Sequence, residues 1–375
     1  MTNRERVSAA FEHRQPDRTP VSLGTTIVDG MTRFWLNRFE EHRGRPVTQP
    51  LVTSRIMQTA AVPEWIWQEL ETEFRPARYV DALTPDTTYL PDGSYIDCFG
   101  ITWKKSEMYF DPVQGPWYGD IDEGKVRTRP WIDLRHARAW YNDPACREEC
   151  LRLKAAGYVV VADLISFGTF EQAAWMRGFS DLLAGLYEDP KLASAVFEKT
   201  TETALGLFET QLSAIGDAVD VVCHGDDMGM QDRAFFSPAL YQKYLKKHHR
   251  RVIDLIKSKT RAKVFLHSCG SVHELIPDLI DVGVDILNPI QTTARNMQPE
   301  LLKREFGKDL VFWGGVDTQQ LLQTGTDAQI RDEVRRLVDV FGKDGGYVLA
   351  PSHNLQSAAE PRKVEVLFQA IRDVR

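Results

Sequence analysis

In the stretch 264-VFLHSCGSVHEL-275 an apolar run closes on His267, Ser268 and Cys269, with Gly270 immediately behind. Residues i and i+2 of a strand point to the same face, so an imidazole nitrogen and a thiol would stand side by side. Zinc takes both donors, and a catalytic zinc needs three protein ligands with a fourth position left open. His353, just after the last apolar run of the chain, is the candidate third ligand, giving an N/S/N set. The opposing reading is a half-buried histidine beside a structural thiol at a strand end.

Further chemistry-bearing residues close the other apolar runs. Asp163 ends one, and Cys223, His224, Asp226 and Asp227 end the next. Asn288 and Gln291, then Asp317, then Ser352, His353 and Asn354 follow. Asp226 and Asp227 are candidate catalytic groups, as a general acid/base, as a fourth ligand, or as a carboxylate orienting a ligating histidine. The alternative for this GDD stretch is a simple strand-end turn. Asp163, Asn288 and Gln291 are the candidates for holding substrate. His248 and His249, in KKHHRR, read as part of a solvated basic helix face. His13, His42, His136 and His273 are assigned to the surface by the same logic, and Arg14 and Arg18 default to surface arginines.

The elements that must position these residues can be read from the pattern. Apolar runs at 158–165, 218–227, 262–270, 283–290, 309–317 and 346–351 alternate with amphipathic stretches such as PALYQKYLKKHHRRVIDLIKSK. Continuous Val/Ile/Leu runs are the mark of buried parallel strands, each needing a crossover that is usually a helix. Adding the early run TPVSL (19–23) and one strand between about 60 and 150 gives eight. The expected fold is α/β, a (β/α)8 barrel with an N-terminal extension, whose site lies at the C-terminal ends of the strands. No GxGxxG follows an early strand, which leaves a dinucleotide-binding sheet little support.

Residues 1–130 are expected to carry a cap within a single domain spanning 1–375. Five of the nine tryptophans (Trp35, Trp65, Trp67, Trp103, Trp117) lie there, and SYIDCFGITWKK alternates as a hairpin would. Such aromatic density suits a core or the wall of a pocket.

The net charge of −7, from 46 basic and 53 acidic residues, argues against nucleic acid as a partner. No run reaches the length of a membrane span, and the N-terminus has no apolar signal core, so a cytoplasmic protein is expected. The odd number of cysteines (Cys98, Cys146, Cys150, Cys223, Cys269) favours free thiols or ligands over disulfides, with Cys146 and Cys150 as ordinary helix residues. No fixed-period repeat suggests a scaffold.

Several longer stretches resemble the uroporphyrinogen decarboxylase superfamily across nearly the whole chain. They are RERVSAAFEHRQPDRTPV near the N-terminus, GTFEQAAWMRGFSDLLAGLYEDP (168–190), GDDMGMQ (225–231), FLHSCGSVHELIPDLIDVGVDILNPIQ (265–291), FWGGVDTQ (312–319) and APSHNLQ (350–356). The resemblance implies a (β/α)8 barrel. It also implies one of two chemistries: cofactor-free decarboxylation of a tetrapyrrole, or cobalamin-dependent methyl transfer with zinc held by a His-x-Cys pair and a later ligand. The decarboxylases use an N-terminal motif of the form PxWxMRQAGR, where this chain has TPVSLGTTIVDGMTR. His267 and Cys269 match the zinc-binding pair; no cysteine follows Cys269, and His353 stands roughly where the later ligand is expected.

Within the methyltransferase branch the chain looks most like the methyltransferase components of O-demethylase systems. The expected activity is zinc-dependent transfer of a methyl group from a small methyl ether to the Co(I) of a corrinoid. No corrinoid domain is visible in the sequence, so the corrinoid is expected on a partner protein; a homodimer is also compatible. Competing expectations are a cofactor-free decarboxylase or lyase, a methylcobalamin:thiol methyltransferase, and a non-catalytic corrinoid-binding protein.

Overall fold

The structure is a computed structural model that describes residues 1–77, 87–130, 132–165 and 167–374, without the side chains of His136 and Trp140. Its strands are β1 (Val52–Ser54), β2 (Thr59–Ala60), β3 (Phe74–Pro76), β4 (Thr88–Tyr89), β5 (Tyr95–Ile96), β6 (Thr102–Lys105), β7 (Phe110–Gln114), β8 (Val159–Ala162), β9 (Val221–Gly225), β10 (Lys263–His267), β11 (Ile286–Ile290), β12 (Val311–Val316) and β13 (Tyr347–Pro351).

Seven of them form one curled parallel sheet in the order β13-β12-β11-β10-β9-β8-β3. The run TPVSL adds an eighth position. Ser22 N donates to Leu349 O at 3.0 Å and Leu349 N to Pro20 O at 2.9 Å, a parallel bridge beside β13. The strand missing from the sequence pattern is β3. Its FRP carries an arginine and a proline, so it reads as loop, yet Phe74 and Arg75 are buried.

Alternation along each strand then decides what faces the barrel interior. Phe74, Val159, Val161, Val221, Cys223, Phe265, Ile286, Trp313, Val348 and Ala350 pack together inside it. Continuing the period of two beyond Val161, Phe265 and Ile286 brings Asp163, His267 and Asn288 to the rim. The other faces pack against helices, the longest being Pro190–Ile215, which starts on Pro190 behind the capping carboxylate of Asp189.

The cap is a four-stranded antiparallel sheet, β4-β5-β6-β7, in which the expected hairpin is the β5–β6 pair. Its Trp103 is fully buried and donates from Nε1 to Asp97 at 2.8 Å. The turn before β7 carries Tyr109, which packs against the barrel interior. No helix among the described residues is long and apolar enough to cross a membrane.

Candidate metal centre

His267, Cys269 and His353 are brought together, with one donor atom from each lying within 4.8 Å of the others. Three strand ends build the group. His267 is the last residue of β10, with Asn288 of β11 as its register partner. Asn288 Oδ1 lies 2.6 Å from His267 Nδ1, while Asn288 Nδ2 donates to Trp313 O at 3.1 Å. The second bond fixes the amide, so the oxygen faces the ring, and an amide oxygen only accepts. Nδ1 therefore carries the proton and Nε2 presents its lone pair. That lone pair lies 3.4 Å from Cys269 Sγ. Donors about 2.0 and 2.3 Å from a tetrahedral zinc sit about 3.5 Å apart, so the pair has the separation zinc requires.

His353 follows β13, and its ring centroid lies 5.7 Å from that of His267. Its Nδ1 is buried with no hydrogen-bond partner. Burial, then the neighbouring His267, pushes the His353 pKa down to about 3, which keeps the imidazole neutral and able to ligate. Burial pushes the Cys269 thiol well up, with the Asp227 and Glu171 carboxylates adding to the shift. A cation would reverse that balance, because a coordinating thiol is deprotonated outright. The neutral His353 imidazole with its unpartnered nitrogen, the His267 ring and the Cys269 thiol fit a zinc ion.

The two adjacent aspartates go to different places. Asp227 lies beside the group: its Oδ1 accepts from Cys269 N at 2.8 Å and is 3.6 Å from His267 Nε2. Asp226 is fully buried behind it. Asp226 accepts from the backbone N–H groups of Thr169 (3.0 Å), Phe170 (3.0 Å) and Glu171 (2.7 Å), and pairs with His249 Nε2 at 2.8 Å. It thereby caps the helix Phe170–Arg177 from outside, a helix whose own Thr169 makes no side-chain cap bond. Burial works to raise the Asp226 pKa, but the bonds from His249 and the helix N-terminus hold it below the usual carboxylate range. Gly168, at φ +73°, lets the chain pass over this carboxylate, since a Cβ there would lie 2.3 Å from Asp226 Cγ.

His249 corrects the expectation of a solvated basic face. Both His248 and His249 are buried. His249 Nδ1 lies 2.8 Å from the Tyr241 hydroxyl, and His248 Nδ1 lies 2.9 Å from the Thr201 hydroxyl. The KKHHRR charges mask a stripe in which His249, Val252, Ile253 and Ile256 share the inner helix face. His13 and His273 are half-buried, His42 is exposed, and the His136 side chain lies outside the described residues. Arg14 pairs with Glu12 at 2.6 Å, and Arg18 with Glu71 at 2.6 Å.

The residues expected to hold substrate are engaged with protein. Asp163 accepts from Ile27 N at 2.9 Å and Leu164 N at 2.7 Å, and burial pushes its carboxyl up to about 8. Gln291 accepts from Gly270 N at 2.9 Å and donates to Gln231 at 2.9 Å, tying together the loops after β9, β10 and β11. Asn288 orients His267. Gly270, at φ +82°, permits the tight contact of those loops, because a Cβ there would meet Gly229 at 2.5 Å.

Two residues at the site were not singled out from the sequence. Glu171 belongs to the first turn of a helix, an ordinary place for an acid, yet burial and the Asp227 and Asp226 charges push its pKa well up. Tyr109 arrives from the cap, where no strand-end pattern points to it. Its hydroxyl accepts from Gln356 Nε2 at 2.6 Å.

The family model described as uroporphyrinogen decarboxylase (URO-D) matches residues 162–374, more than half of the chain. A uroporphyrinogen decarboxylase from Pseudomonas aeruginosa is 24% identical over 201 residues, 53% of either chain. One from Anaeromyxobacter is 25% identical over 253 residues, 66% of this chain and 68% of the other. The chain spans about half the length of the first curated relatives it matches. Among solved structures, a methyltransferase from Methanosarcina mazei superposes with a TM-score of 0.67 over 100% of this chain and 99% of its own, at 17% identity. That likeness is one of fold.

Proposed function

From the premise that the chain belongs to the uroporphyrinogen decarboxylase family, we propose that it is a zinc-dependent methyltransferase. It would move a methyl group from a methyl ether to the Co(I) corrinoid of a partner protein. The observation that carries this reading is the convergence of His267, Cys269 and His353, with one donor atom of each within 4.8 Å of the others, while Asn288 occupies His267 Nδ1 and leaves Nε2 toward Cys269 Sγ.

Zinc bound by His267, Cys269 and His353 would supply a Lewis acid that eases departure of the donor oxygen. The remaining work falls to the chain itself. Asn288 fixes the ring of His267, and such outer partners of metal ligands typically govern affinity. Asp227 anchors the Cys269 backbone and keeps an oxygen beside the ligand edge, where a donor hydroxyl or the metal can use it. Glu171, whose carboxyl is pushed well up by burial and by the Asp227 and Asp226 charges, would be the candidate proton donor beside Asp227. Tyr109, packed against the barrel interior from the cap, would help to keep water from the site.

Tetrapyrrole decarboxylation has the family name in its favour. It is opposed by residues 19–33, which lack the arginine-rich motif and carry Arg33 as their one basic residue. They fold instead around Asp29, whose carboxylate accepts from Ser22, Thr26 and Trp313.

Elemental analysis of the purified chain against His267→Ala/Cys269→Ala tests the proposal. About one zinc per wild-type chain, lost in the variant together with ether demethylation, is the expected result. Full demethylation by either single variant overturns it.

A further inference from the structure

Between the cap sheet and the barrel mouth lies a cavity that none of His267, Cys269 and His353 lines. It is open to solvent at its mouth and leaves a free volume of about 80 Å³ inside. Its walls are rings from both parts of the chain: Tyr95, Phe99 and Trp103 from the cap, Phe167 and Trp175 from the segment after β8. Trp103 and Trp175 meet edge to face at 5.0 Å, and Phe167 tilts against Trp175 at 4.9 Å. The walls are therefore set by contact with one another and present ring faces and edges to whatever enters.

One polar side chain in this lining is left incomplete. Gln172 is 4% exposed, and its Nε2 is buried with no partner. A buried amide N–H without an acceptor is costly and uncommon in folded proteins, and here it lines a cavity with room for one. Arg55, stacked on Tyr95 at 5.0 Å, and Asp97 bring one charge of each sign to the same lining. One short segment links the cavity wall to Asp226, behind the ligand group. Phe167 and Gln172 line the cavity, while Thr169, Phe170 and Glu171 between them bond through their N–H groups to Asp226, the neighbour of Asp227.

Resting on the proposed function, we infer that this cavity holds the body of the methyl donor, and that the donor is an aryl methyl ether bearing an acceptor for Gln172. Aromatic walls favour a flat ring over an aliphatic chain. The chemistry agrees: an aryl ether releases a phenoxide, whose conjugate acid has a pKa of about 10 as in tyrosine, a far better leaving group than an alkoxide.

The test is calorimetric titration of the full chain, at measured metal content, with 4-methoxybenzoate and with methoxyacetate, two methyl ethers of equal charge. The aryl ether is expected to bind at least about tenfold more tightly. Gln172→Leu should weaken it about tenfold, the worth of one hydrogen bond, while the apo protein melts at or above the wild-type temperature because an unpartnered donor has been removed. Trp175→Ala should weaken it further. Equal binding of the two ethers, or wild-type binding by Gln172→Leu, overturns the inference. Its failure is separable from that of the zinc mechanism. A metal-free chain that binds only the aryl ether upholds the cavity and removes the zinc; a zinc-loaded chain that demethylates only methoxyacetate does the reverse.

Discussion

Two histidine clusters flank the rim of β9 and β10, and they differ in how fully their polar atoms are used. In the His249 cluster both ring nitrogens are engaged, one by Tyr241 and one by Asp226, and Asp226 also receives three backbone N–H groups. In the His267 cluster, Nδ1 is held by Asn288, while Nε2 faces only a thiol and a carboxylate oxygen at 3.6 Å, and His353 Nδ1 has no partner. The bonds of His249 hold structure together, whereas donor atoms of His267, Cys269 and His353 within 4.8 Å of one another could take a ligand. Asp226 and Asp227, adjacent in sequence, fall on opposite sides of that division.

The largest effect should come from breaking the saturated cluster. Asp226→Ala leaves His249 and three helix N–H groups buried without their acceptor, and loss of one partner from a buried pair costs about 3–5 kcal/mol. Chemical denaturation should show that loss. Asp227→Ala, at a half-buried position, should melt close to wild type yet lose metal or activity. Equal destabilisation by the two variants would erase the distinction.

Acid should act next, and on the structural side. Burial and the neighbouring His249 push His224 down to about 4, and burial beside Lys247 and Arg251 pushes His248 down to about 3. Both values lie below those of the unfolded chain. Their contribution is therefore fully present above about pH 6.5 and drains away as the pH falls toward 4 and then 3. His224 has no partner for either ring nitrogen. His224→Leu should thus lower the midpoint of acid unfolding while changing stability at pH 8 by less than about 1.5 kcal/mol. An unmoved acid midpoint would show that His224 does not drive the transition.

The unsaturated cluster is probed more gently by Asn288→Ala. Removing the partner that fixes the tautomer of a ligating histidine typically lowers metal affinity about 10–100-fold. Competition for zinc with a chelating dye would measure it. Unchanged affinity would mean that His267 needs no help in presenting Nε2.

How far all this could be read in advance depends on where the information resides. The barrel was legible because six strands are unbroken apolar runs, and such runs record burial on both faces. β3 was not, since FRP is held as a strand by pairing with β8 rather than by its own pattern. His267, Cys269 and His353 were legible because strand alternation and strand-end position are local properties. The partition between Asp226 and Asp227 was not, because it is set by a helix N-terminus more than fifty residues away in sequence, at Thr169–Glu171. His249 was misread because charge in KKHHRR outweighed the spacing to Val252, Ile253 and Ile256. Gln172 gave no signal at all: an unpartnered nitrogen exists only once the cap and barrel have met.

The smallest expected effect bears on whether the saturated cluster acts as one unit. Tyr241→Phe deletes the hydroxyl 2.8 Å from His249 Nδ1 and nothing else. If the ring, the carboxylate and the helix cap were independent, the loss would be that of one hydrogen bond, about 1 kcal/mol. The Tyr241 hydroxyl, however, helps hold the ring that pairs with Asp226, and Asp226 positions Thr169, Phe170 and Glu171. In a coupled network the double variant Tyr241→Phe/Asp226→Asn should lose less than the sum of the two single variants, because the second change removes what the first has already loosened. Additive losses would make the Tyr241 bond a separate contact, and the chain from helix face to site rim would end at His249.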